Sequence, residues 1–401
     1  MCVPNNRAKD SVELANIFNL YGDSYIKKHR LSKEQYKAVN AIRNCRTAAL
    51  GGNVQRCADC GVELISYNSC RNRHCPKCQT LAKVRWLAAR QAELLPVEYF
   101  HVVFTIPHEI NYLAGYNQAT IYNILFKAAW ITIQKLGYDP KRLGGLMGML
   151  AALHTWGQNL LQHIHLHCIV PGGALVNDKW ISVKPGFLFP VKVMSKIFKG
   201  VFVNLLRQAY ENNQLKLQGI VADLAHPEAF TSLLNQLMQK DWCVYSKKPF
   251  NGAKGAVDYL AKYVYKTAIS NNRILSCDNN SVTFNWRDYS DHNNIKIMTL
   301  DSHEFIRRFL THVLPNGFIR IRSFGFLASS CKVKKIKQIA SLLHHTTPIL
   351  TKEKESTDKL MFRLTGIDIN LCPKCKIGKL QTITTILNFK QLQYGKYSNT
   401  S

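Results

Sequence analysis

The run His163-Ile164-His165-Leu166-His167 constrains this chain more than any other stretch of its sequence. Side chains alternate faces along a strand, so the three histidines project to one side while Ile164 and Leu166 face the core. The segment Gln162 to Val170 stops at Pro171-Gly172-Gly173, a turn signal, which supports reading it as a strand. Two or three imidazoles converging on one face form a natural platform for a metal ion. The alternative is a half-exposed strand that simply turns polar groups outward.

The surrounding chain gives this strand a sheet to belong to. Tyr99 to Ile106 is β-branched and aromatic, ended by Pro107, and Gly148 to Trp156 reads as a strand as well. Helical periodicity runs through residues 109–137, most of 192–240, and 252–270. Val282 to Trp286 and Ile295 to Leu300 suggest a hairpin, followed by a short helix from Ser302 to His312. The expectation is an α+β body with a mostly antiparallel sheet. Upstream, Ser32 offers an N-cap to a helix beginning near Gln35. Pro96 closes a basic helix running from Thr80 to Leu95, which places a domain boundary there. Three segments follow from this reading: 1–95, 97–330, and a basic tail, 331–401.

The chain has 13 cysteines, and their clustering favours metal over disulfides. Cys57-Ala-Asp-Cys60-Gly61 and Cys75-Pro-Lys-Cys78 are two CxxC knuckles able to wrap one tetrahedral Zn2+. Cys70 and His74 lie between them and leave a second metal or a different ligand set open. Cys372-Pro-Lys-Cys375 is a half-knuckle with no second pair nearby. The sequence shows neither a signal-peptide pattern nor a run of about 18 uncharged apolar residues, so a cytoplasmic setting without a membrane span is expected.

Lys+Arg 53 against Asp+Glu 25 leaves a formal net charge of +28. Such an excess suits a polyanion, because each cation placed on a phosphate releases condensed counterions. Arg56, Arg71, Arg73, Lys77 and Lys83 surround the knuckles and point the cysteine module toward DNA. Tyr259 and Tyr263 sit four apart in a helical segment, which brings both hydroxyls to one face. A phenol ordinarily titrates near pH 10 and attacks poorly at neutral pH; a metal polarising a phosphate would meet that need. Imidazoles usually suit zinc and other transition metals better than Mg2+, so the remaining oxygens at such a site would come from water and the phosphate itself.

Taken in order, these pieces resemble the two-tyrosine HUH rolling-circle transposases of the insertion-sequence ninety-one family. The matching stretches are Cys57 to Cys60, Ser69 to Gln79, Phe100 to Pro107, His163 to His167 with the Pro171 turn, Tyr259 to Tyr263, and Phe305 to Arg322. The resemblance implies an HUH endonuclease-like antiparallel sheet flanked by helices, preceded by a small zinc-binding domain. It implies His165 and His167 as ligands of a divalent metal, Mg2+ or Mn2+, with His163 as a third. It implies Tyr259 and Tyr263 as nucleophiles that nick single-stranded transposon ends and join them to a target through 5′-phosphotyrosine links, on the nucleoid of a bacterial cell. Lys262, Lys266, Arg307, Arg308, Arg320 and Arg322 are expected on the DNA backbone; solvated surface cations are the other reading. The competing functions are a replication initiator or relaxase with the same chemistry, a non-catalytic zinc-dependent DNA-binding protein, and a histidine-metal hydrolase.

Overall fold

The computed structural model describes residues 12–247, 252–345, 355–389 and 391. Its strands begin with β1 (Gly52–Cys57), β2 (Glu63–Tyr67), β3 (Tyr99–Thr105) and β4 (Gly148–Trp156). Next come β5 (Gln162–Pro171), β6 (Gly173–Val176), β7 (Lys179–Ser182), β8 (Val244–Lys247) and β9 (Ile274–Asp278). The last are β10 (Ser281–Asp288), β11 (Asn294–Asp301), β12 (Ile321–Gly325) and β13 (Leu380–Ile386). With helices throughout, the class is α+β, as the periodicities indicated.

By contacts the chain forms two compact units. One comprises Leu81–Ala268 and Arg308–Ile349. It is built on a five-stranded sheet of order β12-β4-β5-β3-β8, antiparallel at every step. The histidine run lies on β5, the central strand. One face packs Ile164, Leu166, Cys168, Phe100, Val102, Phe104, Met149 and Leu153 against the helices Gln118–Tyr138 and Val191–Glu211 in the main core. The other face carries Tyr99, Leu150, Ala152 and Ile169, covered by Ala256, Leu260 and Val264 of the helix Gly252–Val264. Because a helix covers this second face, His165 and His167 on β5 are enclosed rather than turned to solvent. That helix stops at Val264, earlier than the apolar pattern to Ser270 suggests.

The other unit comprises Met1–Thr80, Ile269–Arg307 and Leu350–Ser401. Its sheets are β13-β1-β2 and β11-β10-β9. Ser32 caps the helix Lys33–Arg43, accepting from Gln35 N at 3.2 Å while Gln35 Oε1 accepts from Ser32 N at 2.9 Å, a reciprocal pair that satisfies two orphan donors. The segment from residue 331 does not behave as one tail. Lys332–Leu342 is a helix packed in the first unit, whereas β13 pairs with β1 in the second. The reason is backbone pairing: β1 has two edges, β2 takes one, and β13 satisfies the other.

Candidate active site and metal centres

Register decides which histidines meet. On paired antiparallel strands, opposite residues share a face and stand about 5 Å apart, closer than residues two apart along one strand, at about 6.6 Å. β4 places His154 directly opposite His165. His154 Nδ1 lies 3.1 Å from His165 Nε2, and His165 Nε2 lies 3.0 Å from His167 Nε2. The three rings are buried and form one ligand-like cluster without a carboxylate. His163 is not part of it. It is exposed at the start of β5, one strand step beyond His165, and its contribution is a backbone oxygen that accepts from His165 Nδ1 at 2.7 Å. The third imidazole therefore comes from the neighbouring strand, not from the run itself.

One of those contacts fixes a tautomer. Because His165 donates its Nδ1–H to a carbonyl, its Nε2 presents a lone pair to the cluster. His101 on β3 faces His167 Nδ1 through its Nε2 at 3.0 Å. Burial holds these rings neutral: His165 is pushed down to about 3 and His101 to about 4, while His154 and His167 also fall well below the ordinary imidazole range. His154 Nε2 is buried with no hydrogen-bond partner, a cost accepted where the ring's other nitrogen is committed. Three neutral imidazole nitrogens grouped in this way, each able to present a lone pair, are a donor set that fits a divalent metal.

The two tyrosines lie over this cluster. The helix Gly252–Val264 sets Tyr259 and Tyr263 on one face, and the Tyr263 hydroxyl donates to the Tyr259 oxygen at 2.7 Å. The Tyr263 ring stacks on His167 with centroids 3.6 Å apart, and the Tyr259 ring meets His101 edge-on at 4.7 Å. Tyr265 turns away and packs on Trp86. Arg320, only 8% exposed, donates from Nη2 to the carbonyl of Val264, where the helix ends. A cation there complements the negative end of the helix dipole and anchors the tyrosine helix to the sheet.

The cysteines form two closed sets. Cys45, Cys70, Cys75 and Cys78 make one; Cys57, Cys60, Cys372 and Cys375 make the other. The sulfur contacts span 3.4 to 3.7 Å, too long for disulfides and close to the roughly 3.8 Å expected for thiolates at tetrahedral corners about 2.3 Å from zinc. The expected single set of Cys57, Cys60, Cys75 and Cys78 is thus divided between two sites, and His74 belongs to neither. The cause is the β1–β13 pairing, which carries the second knuckle to the end of β1. The two knuckles on that site match: Gly61 and Lys376 each follow the second cysteine with positive φ, at 66° and 58°, and each donates its N–H back to the carbonyl of the first cysteine. Backbone N–H groups of Gly378 and Ile377 hold the Cys375 thiol down at about 6.

Comparison with known proteins matches two stretches of the chain to family models. Residues 148–335, spanning β4 to β12, match a family model described as "Putative transposase", and residues 17–106 match one described as "Transposase zinc-binding domain". A "Putative transposase y4qJ" of Sinorhizobium fredii is 44% identical over 382 residues, covering 94% of this chain and 96% of that protein. The "Transposase for insertion sequence element IS801" of Pseudomonas savastanoi is 28% identical over 320 residues, covering 78% and 75%. This chain belongs to the insertion-sequence ninety-one family of transposases. No solved structure matches it. DNA is the transposase's substrate, and six of the eight clustered cysteines lie within the stretch matched as a zinc-binding domain.

The transposase divides its basic residues between internal and outward duties. Arg320 is committed to Val264, and Arg322 donates to Asn123 Oδ1 at 2.6 Å and lies over the Phe126 and Phe318 rings. Both were expected on DNA; within the fold their guanidinium groups also hold the sheet unit, Arg320 through a carbonyl and the half-exposed Arg322 over two aromatic rings. Arg308 is half-buried and donates to Asn159 O, while Arg307 is exposed and paired with Glu304. Arg56 and Lys77, beside the thiolate sites, pair with Glu63 and Glu13. Lys262 is exposed over the Tyr259 ring, and the charge of Lys266 reaches His154 and His167. Among the described residues, no helix is long and apolar enough to cross a membrane.

Proposed function

We propose that the transposase nicks and rejoins DNA single strands at transposon ends by transesterification, with Tyr259 and Tyr263 as nucleophiles above a metal held by His154, His165 and His167. One observation carries this reading: two hydrogen-bonded phenols, one of them stacked on the His167 ring, beside a cluster of three buried imidazoles. His154, His165 and His167 would hold a divalent cation there, Mg2+ or Mn2+. A divalent cation bound there supplies charge to the scissile phosphate's oxygens.

The residues of the chain do the rest. A tyrosine oxygen forms a bond to phosphorus as the bond to the 3′ oxygen breaks; the phenolic proton is lost and the departing oxygen ends as a 3′ hydroxyl. The Tyr263 hydroxyl, donating to Tyr259, stabilises the phenolate that develops as Tyr259 loses its proton. The phosphotyrosine conserves the bond energy, so a 3′ hydroxyl rejoins the strand without ATP. With a second tyrosine beside the first, two 5′ ends can be held during exchange with a target. Lys262 and Lys266, next to the pair, meet the backbone phosphates.

The test is incubation of the full chain with Mg2+ or Mn2+ and single-stranded oligonucleotides carrying the element's ends, followed by denaturing gel and peptide mass spectrometry. An adduct on Tyr259 or Tyr263, absent from the Tyr259→Phe/Tyr263→Phe variant while binding persists, is the expected result. Tight binding by the unaltered chain with no adduct under either metal would leave only a DNA-binding role.

A further inference from the structure

We infer that His101 is a positioning residue of this site: it locks His167 in the tautomer whose Nε2 faces the metal. The inference rests on the proposed metal role of the histidine cluster. His101 Nε2 lies 3.0 Å from His167 Nδ1, and the two rings stack nearly parallel, 11° apart, with centroids at 5.2 Å. One of the facing nitrogens must carry the hydrogen. With His167 Nδ1–H donating and His101 Nε2 accepting, the His167 Nε2 lone pair is left to join those of His165 and His154. The reverse choice puts the hydrogen on His167 Nε2, pointing it at His165 Nε2, which is already a lone pair because His165 Nδ1 is committed to a carbonyl. That arrangement would satisfy the two histidines and block the site. His101 therefore decides between a ligand and a hydrogen bond.

The position is built for the task. β3 pairs with β5 so that His101 lies opposite Ile169, one strand step from His167 on the shared face. His101 is buried, with the Tyr259 ring edge-on at 4.7 Å on one side and Tyr245 at 6.3 Å on another. Metal-ligating histidines usually donate their second N–H to a carboxylate, carbonyl or water. His165 follows that rule through the carbonyl of His163; His167 uses a neutral imidazole instead. The same ring touches Tyr259, so one side chain sets both a ligand and the place of a nucleophile.

The test separates the acceptor from the ring. Mn2+ binding to the full chain is followed by the loss of the free-ion electron paramagnetic resonance signal, with His165→Ala/His167→Ala defining binding that does not involve the cluster. His101→Phe keeps a packed ring and removes the acceptor; His101→Gln keeps an acceptor near the place of Nε2. His101→Phe is expected to weaken cluster-dependent Mn2+ binding about 10- to 100-fold, and His101→Gln to restore most of it. Unchanged affinity in His101→Phe overturns the inference, as does an equal loss in both variants, which would make packing the cause. A wild-type chain without cluster-dependent Mn2+ binding would instead sink the metal reading on which the inference stands.

Discussion

The thiolate sites and the histidine site are assembled in opposite ways. The thiolates come from knuckles and loops far apart in sequence, with Cys57 meeting Cys375 across 318 positions, and each set closes with four sulfurs. The histidines come from adjacent strands of a sheet that has its own apolar core, and their set stops at three, with tyrosine rings above it. Four thiolates fill a tetrahedral zinc shell and leave no place for a substrate, whereas three donors on a rigid frame leave coordination positions open. The difference separates a metal that makes structure from one that would use structure.

The sharpest way to break that comparison is to cut one closed site. The chain is expected to hold two zinc ions, and Cys372→Ser/Cys375→Ser to hold one. Structural zinc in small domains carries about 10 kcal/mol or more of apparent folding free energy. The pair of substitutions should therefore free β13 from β1, seen as lost hydrogen-exchange protection in both strands, while β3, β4 and β5 stay protected. Loss of protection in the five-stranded sheet as well would mean the thiolate sites support the whole chain and the contrast is false.

Cutting the open site should do the reverse. His154→Ala removes one of three donors and is expected to lower adduct formation at least about 100-fold, with zinc content unchanged and the melting temperature within a few degrees of wild type. Adduct yield restored to wild-type level at high Mn2+ would show that two imidazoles suffice and that His154 only fills space.

Much of this was legible because strand periodicity is local. The alternation at residues 163–167 correctly put Ile164 and Leu166 in the core, and the four-residue spacing correctly put Tyr259 and Tyr263 on one helix face. What stayed hidden depends on pairing. His154 stands alone in an apolar stretch and becomes interesting only when β4 registers against β5; nothing in its neighbourhood says so. Cys45 is likewise a single residue, and Cys372 with Cys375 found their partners only through the β1–β13 ladder. A CxxC spacing specifies a knuckle but not the knuckle it will face. The internal partners of Arg320 and Arg322 were hidden for a similar reason, since a guanidinium reads as a surface group until its carbonyl or ring partner is known.

The smallest expected effect is a pH dependence that tests whether the histidine cluster is a cost to the sheet. The buried rings are neutral in the folded chain, with His165 at about 3 and His101 at about 4, but charge near pH 6.5 when unfolded. Between those limits the unfolded chain binds more protons, so the stability they permit is full above about pH 6.5 and drains as pH falls toward 3 to 4. Each such histidine contributes up to about 1.4 kcal/mol per pH unit across that window. Acid also strips thiolate sites, so the useful quantity is a difference in which those sites cancel. Without added divalent metal, the urea midpoint of His165→Leu minus that of wild type should rise as pH is lowered from about 6.5 to 4.5 and stay flat above about 7.5. A difference that is flat across the whole range would show that the folded chain takes up protons at this cluster as readily as the unfolded one. The rings would then be solvated or re-paired on protonation, and the enclosed, preformed character that sets this site apart from the thiolates would be lost.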